Sequence, residues 1–211
     1  MLIKLRTKIK ICGITKLSNA LEAVKLGVDA LGFVFFRDSP RYIEPKKARE
    51  IIDQMPSFIS RVGLFVNASK EEVLLAISES RVNMLQFHGD EDENFCNQFD
   101  LPYIKAISFK DGINLLEYCQ LFSSSSAILI DTYSQKMRGG TGKTFNWDLI
   151  PKKLPSPLII AGGLNSNNVS LLINSVNPYG VDVSGGVELD KGIKDHKMMK
   201  NFVLGVNNAT I

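Results

Sequence analysis

Two stretches decide the fold: Lys10-Ile11-Cys12-Gly13-Ile14-Thr15 near the start of the chain and Gly180-Val181-Asp182-Val183-Ser184-Gly185-Gly186-Val187-Glu188 near its end. Each is a short apolar run that stops at a reactive or glycine-rich corner. Working outward from them, apolar runs recur at 9–12, 30–35, 61–66, 84–87, 103–106, 127–130, 158–161 and 181–183. Short runs of this kind, bounded by turn signals, read as strands buried on both faces, the pattern of a parallel sheet. Amphipathic segments follow them. The clearest are Ala48, Ile51, Ile52 and Met55 after Pro45, and 73–77, opened by the capping box Ser69-Lys70-Glu71-Glu72. The stretch 194–206 supplies the eighth helix. A strand-helix unit of roughly 25 residues, repeated eight times, is the arithmetic of a (β/α)8 barrel with short loops. An open doubly wound sheet of this length would have fewer strands.

The chain has 211 residues, enough for one sizeable core and short for two, so 1–211 reads as a single domain. Hydrophobic residues make up 45% and charged residues 22%, and the formal charge of +3 is scattered, which argues against a nucleic-acid surface. No apolar stretch approaches the roughly 20 residues of a membrane span, and the first residues lack the apolar centre of a signal peptide. A cytoplasmic location is expected. Cys12, Cys96 and Cys119 are odd in number and widely spaced, which disfavours a disulfide framework or a zinc site and leaves at least one free thiol.

In such a barrel the chemistry sits at the C-terminal ends of the strands. The residues there are Cys12, Phe36, Asn67, His88, Ile107, Asp131, Gly162 and Ser184. Cys12 lies on the rim beside Gly13 and shares a strand face with Lys10, whose charge is expected to draw the thiol from about 8.5 towards neutrality and make it a base. Asp131 is either a structural acceptor for loop amides or a titrating acid. His88 is either a substrate contact or a satisfied rim imidazole. Arg41, on the loop after the second strand, is either a solvated arginine or a planar fork for a carboxylate. Gly162, Gly163, Ser184 and Gly185 follow strands seven and eight, where barrels of this class bind phosphate through backbone N–H groups. Lys10 and Asp182 fall on neighbouring strands once the barrel closes. Two inward charges there would each be costly alone, so a buried pair beneath the site is expected, on the substrate side of the barrel with Arg41 and His88.

Gly139-Gly140-Thr141-Gly142-Lys143-Thr144 invites a nucleotide-binding reading, but Met137 stands where a phosphate-binding loop needs its first glycine. The segment reads as a loop over the site.

Taken together with Leu129-Ile130-Asp131-Thr132 and Ile159-Ile160-Ala161-Gly162-Gly163-Leu164-Asn165, the motifs occur in the order and spacing of phosphoribosylanthranilate isomerases, and the chain resembles that family from about Lys8 to about Asp195. The resemblance implies an Amadori rearrangement of N-(5-phosphoribosyl)anthranilate in tryptophan biosynthesis, with a small phosphosugar substrate and without metal or organic cofactor. It further implies Cys12 as general base, Asp131 as general acid and Arg41 as the clamp on the anthranilate carboxylate. The chain would then be a monomer or a homodimer, with no nucleic-acid or membrane partner. Two positions depart from the family: Phe87 replaces a common leucine, and Gly185 a common second serine. Rival readings are another phosphosugar barrel enzyme or a noncatalytic phosphosugar-binding barrel. An epimerase would need clustered metal ligands, whereas His88 and His196 are the only histidines. A synthase of the indole-glycerol-phosphate type would need a strand-end lysine acid, and a binding barrel would be expected to lose the thiol or the acid.

Overall fold

The computed structural model describes residues 6–108, 114–131, 150–151 and 154–209. Eight parallel strands form a closed barrel: β1 (Lys8–Cys12), β2 (Ala30–Val34), β3 (Ser60–Phe65), β4 (Met84–Phe87), β5 (Tyr103–Ser108), β6 (Ala127–Asp131), β7 (Leu158–Ala161) and β8 (Gly180–Val183). The seam is made by β1 and β8, with Lys10 opposite Asp182 and Ile11 opposite Val183. Among the described residues the helices are α1 (Leu17–Lys25), α2 (Pro45–Ile52), α3 (Lys70–Ser80), α4 (Glu93–Cys96), α5 (Leu115–Leu121), α6 (Val169–Val176) and α7 (His196–Ala209). The helix expected between β6 and β7 and the glycine-rich loop 139–144 lie outside the described residues.

Local signals explain several boundaries. Ser69 accepts from the Glu72 N–H while the Glu72 carboxylate accepts from the Ser69 N–H, so the capping box opens α3 as expected. Pro45 starts α2, which buries Ala48, Ile51 and Ile52. That helix stops at Ile52, and Met55 packs on the core from the turn that follows. The last helix begins at His196, not at Lys194, because the Asp195 carboxylate accepts from the Met198 N–H at 2.7 Å and is the better cap. Lys194 belongs instead to a short antiparallel hairpin, β9 (Glu188–Asp190) with β10 (Ile193–Lys194), which sequence periodicity did not signal. Strand β5 also runs to Ser108, two residues longer than expected, so Ile107 is a buried core residue and not a rim residue.

Side chains alternate along each strand and divide the core in two. Ile104, Ala106, Ala127, Leu129, Ile159 and Ala161 fill the barrel interior, and Cys12, Val34 and Leu64 form a smaller cluster nearer its mouth. The opposite set, including Ile9, Ile11, Phe33, Leu85, Phe87 and Ile160, meets the helices in the larger core between the barrel and its outer layer. Phe87 is fully buried there among Phe65, Phe95, Phe99 and Tyr103, with ring centroids 5.7 to 6.1 Å away. Its departure from the family pattern is therefore a matter of packing against helices, on the face of β4 turned away from the barrel interior.

Candidate active site

Cys12 ends β1 with its side chain turned inward. Its neighbour across the β1–β2 pair is Gly32, where a Cβ would come within 2.7 Å of the Cys12 sulfur, so glycine there makes room for the thiol. One layer lower, Lys10 Nζ donates to Asp182 Oδ2 at 2.8 Å, and both side chains are almost wholly buried. The expected pair exists, in the register that barrel closure requires. Burial is the largest effect and opposes the lysine charge, but Asp182 and Cys12 together outweigh it and hold the Lys10 pKa above its ordinary value.

The expectation for the thiol itself is overturned. Burial pushes the Cys12 pKa up from 9.0, and the opposing pull of the Lys10 and Lys194 charges does not compensate. A nearby cation lowers a thiol pKa only when desolvation of the thiolate is the smaller effect, and here Asp182 also answers much of the Lys10 charge.

Arg41 lies on the β2–α2 loop with its stem packed over Gly13, where a Cβ would meet the arginine Cδ. Its fork is already engaged. Nε donates to Glu188 Oε1 at 2.8 Å and one Nη to Glu188 Oε2 at 2.6 Å. Glu188 is in turn the acceptor for Lys194 Nζ at 2.7 Å, and that ammonium also donates to the Ser184 carbonyl and hydroxyl oxygens at 3.3 Å. Burial would raise the Glu188 carboxyl, but hydrogen bonds from Arg41 and Lys194 hold it below its ordinary value. Burial lowers the Lys194 pKa in spite of Glu188. The Arg41 fork is therefore already held by a carboxylate of the chain itself, and its second Nη has no hydrogen-bond partner among the described residues.

The glycine corners stand side by side. Gly162 and Gly163 have φ of 86° and 65°, a region open to glycine, and Ser184 leads into a single 3-10 turn, Gly185–Val187. A Cβ on Gly186 would collide with the Leu164 carbonyl oxygen, so the β8 corner is pressed against the β7 corner. At Gly185 an added Cβ would sit 3.4 Å from an Arg41 Nη, which ties this corner to the arginine.

On the other side of the mouth Asp131, the last residue of β6, lies 3.5 Å from His88 Nε2, and the other ring nitrogen, Nδ1, is 3.2 Å from the Gln86 amide nitrogen. The β4 corner is held by Lys105, buried with Glu91 at 2.8 Å and donating to the Gly89 carbonyl at 2.7 Å. Glu91 also accepts from the N–H groups of Asn67 and Gly89.

Sequence reading singled out neither Glu188, Lys194 nor Gln86. Glu188 and Lys194 sit past the last strand, where strand-end logic stops looking, although a carboxylate six residues from a lysine around the Lys191-Gly192 turn is a legible hairpin staple. Gln86 could have been found by alternation, because it shares the inward face of β4 with His88.

Similarity to known proteins follows the same outline. The family model for N-(5'-phosphoribosyl)anthranilate isomerase matches residues 9–204. The N-(5'-phosphoribosyl)anthranilate isomerase of Nitrosospira multiformis is 47% identical over 199 residues, covering 94% of this chain and 96% of that protein. Its counterpart from Pseudomonas fluorescens strain Pf0-1 is 49% identical over 197 residues, covering 93% and 97%. The crystal structure of the Thermotoga maritima enzyme superposes with a TM-score of 0.87 at 40% identity, covering 96% of this chain and 99% of that one. A phosphoribosylanthranilate isomerase in complex with reduced 1-(o-carboxyphenylamino)-1-deoxyribulose 5-phosphate superposes at 0.82 with 38% identity, covering 96% and 99%. With the match spanning the whole barrel, from the strand that carries Cys12 into the last helix, the chain belongs to the N-(5'-phosphoribosyl)anthranilate isomerase family.

Proposed function

We propose that the chain converts N-(5-phosphoribosyl)anthranilate to 1-(2-carboxyphenylamino)-1-deoxyribulose 5-phosphate in tryptophan biosynthesis, with Asp131 as general acid and Cys12 as general base. The observation that carries this reading is the placement of an inward thiol and a carboxylate on the same barrel mouth, beside a glycine cradle and a basic cluster. Asp131 protonates the furanose ring oxygen, and the ring opens to a Schiff base. Cys12 then takes the C2′ proton to give an enolamine, which tautomerises to the aminoketone. The N–H groups around Gly162, Gly163, Ser184 and Gly185 hold the phosphate, and Lys194 adds positive charge beneath it. The open Nη of Arg41 takes the anthranilate carboxylate, while Glu188 keeps the guanidinium plane fixed. His88 faces the acid, and Lys10 with Asp182 supports the base from below.

The chain works as one barrel domain. Its three free thiols suit the reducing cytoplasm, and no helix among the described residues is long and apolar enough to cross a membrane. It pairs as a homodimer through the end of the barrel opposite the site. There Phe58 is fully exposed beside a cavity of about 290 Å³ whose walls combine Val62, Met84 and Ile104 with Lys8, Asp29 and Ser60. A 35% identical structure from Thermotoga maritima is described as generated monomers of a dimeric phosphoribosylanthranilate isomerase.

The test couples anthranilate and phosphoribosyl pyrophosphate through a transferase and follows loss of ribosyl-anthranilate fluorescence. The chain should consume the signal. Cys12→Ala and Asp131→Asn should each retain the fold and lose about 10² to 10⁴-fold in turnover. Near-full activity of either purified variant would overturn the roles.

A further inference from the structure

Gln86 is wholly buried inside the barrel, and its amide oxygen has no hydrogen-bond partner among the described residues. A buried carbonyl left unpaired costs free energy, and apolar residues fill most of the neighbouring inward positions. Among the described residues the side chain makes one polar contact, through its amide nitrogen, 3.2 Å from His88 Nδ1, two residues along on the same strand face. The far side of that ring, Nε2, lies 3.5 Å from Asp131 Oδ2.

An amide NH2 group can only donate, so a neutral ring facing it must present Nδ1 as acceptor and carry its proton on Nε2. Turning the amide would give the opposite tautomer and would orphan a buried NH2 instead of a buried C=O. Orphaned donors are the rarer of the two in folded proteins. We propose that Gln86 is a positioning residue that fixes His88 as the Nε2–H tautomer, so that the ring aims a hydrogen-bond donor at Asp131. The proposal rests on the reading of Asp131 as the acid. As that carboxyl hands its proton to the ring oxygen of the substrate, negative charge develops on its oxygens, and a neutral N–H held in place stabilises the carboxylate formed. The gain is largest in the transition state because the donor is already oriented. A separation of 3.5 Å needs to close by only a few tenths of an ångström to become a hydrogen bond, and such catalytic contacts commonly tighten when substrate binds.

The chain has two histidines, so the tautomer can be read directly. Long-range proton–nitrogen correlation spectra of the 15N-labelled full chain, with His88 assigned through His88→Asn, should give the Nε2–H pattern at neutral pH. Gln86→Leu should lose that preference and lower kcat by about 10²-fold with KM little changed, the order lost when a donor aimed at developing charge is removed. Gln86→Glu keeps the size of the side chain but can accept from Nδ1–H. It should drive the ring to the opposite tautomer and lower kcat comparably, which a merely structural role would not produce. Combining Gln86→Leu with His88→Asn should cost no more than His88→Asn alone. An Nδ1–H spectrum for the unaltered chain, or full turnover in a folded Gln86→Leu or Gln86→Glu variant, would overturn the proposal. Unchanged activity of Asp131→Asn would instead sink the acid assignment, while leaving the tautomer measurement standing.

Discussion

Lys10 and Asp182 are 172 positions apart in the chain and meet at 2.8 Å across the seam where β1 and β8 close the barrel. One oxygen of Asp182 receives the ammonium, and the other is buried with no hydrogen-bond partner among the described residues. The carboxylate therefore depends on Lys10 for its compensation. Lys10→Met should destabilise the fold by about 3 to 5 kcal/mol, because it strands a buried charge. Urea unfolding should show a lower midpoint at unchanged m-value, a loss that exposed controls such as Lys25→Met do not share. The pH dependence has a definite sign. The Lys10 pKa is raised in the folded chain, so its contribution is complete below about pH 10.5 and is lost as pH rises through the folded value. A Lys10→Met deficit that persists undiminished far above that pH would contradict the pair as its source.

The Cys12 thiol gives a second pH signature. Burial holds its pKa above 9.0, so only a minor fraction is thiolate at neutral pH. Alkylation by iodoacetamide should therefore be slow at neutrality and keep climbing past pH 9. Lys194→Met removes one of the cations that pull the thiol down, and should move that limb to higher pH. An alkylation rate that levels off below pH 8 would contradict the shift.

The barrel was legible because eight buried strands repeat at a regular interval and because parallel strands buried on both faces read as continuous apolar runs. The Lys10–Asp182 pair was legible too, since alternation and closure are enough to place both charges. The thiol was misjudged for a reason that no local pattern carries. The direction of its shift depends on how completely three dimensions remove water from the sulfur, and burial there outweighs the cation next to it. Glu188 and Lys194 were missed because their partners lie in the fold. Arg41 is 147 positions from Glu188, and the hairpin that presents Lys194 has no apolar periodicity.

Glu188 joins Arg41 and Lys194, and its folded-state pKa is depressed, so its contribution to stability is present above about pH 4.5 and is lost as pH falls through the folded value. Glu188→Gln should lower the melting temperature at pH 7, and the gap to the unaltered chain should narrow as the pH is brought below 4. Kinetically, Arg41→Ala should raise KM for the ribosyl-anthranilate more than it lowers kcat, because a carboxylate clamp acts on ground and transition states alike. Arg41→Lys should not restore binding, since an ammonium cannot hold Glu188 through two parallel bonds and still face a second carboxylate. A fall in kcat at constant KM in Arg41→Ala would show that the arginine acts on the reacting bond.

Phe58 tests the assembly. The ring is fully exposed in the single chain, at the end of the barrel opposite Cys12, and the cavity beside it combines apolar walls from several strands with Lys8, Asp29 and Ser60 at its edge. In a two-fold pairing each ring would enter the partner's cavity. Fully burying a phenylalanine side chain contributes about 1.5 to 3 kcal/mol. Two such insertions reach only the low end of the roughly 4 to 15 kcal/mol that association costs in lost freedom, so neither can be spared. Light scattering on a sizing column should give the dimer mass for the unaltered chain at micromolar concentration and the monomer mass for Phe58→Ser. Because the substitution lies far from the barrel mouth, turnover per chain should be retained. The melting temperature of the variant should also stop depending on protein concentration. A monomeric unaltered chain, or a Phe58→Ser variant that still pairs, would place the contact elsewhere or remove it.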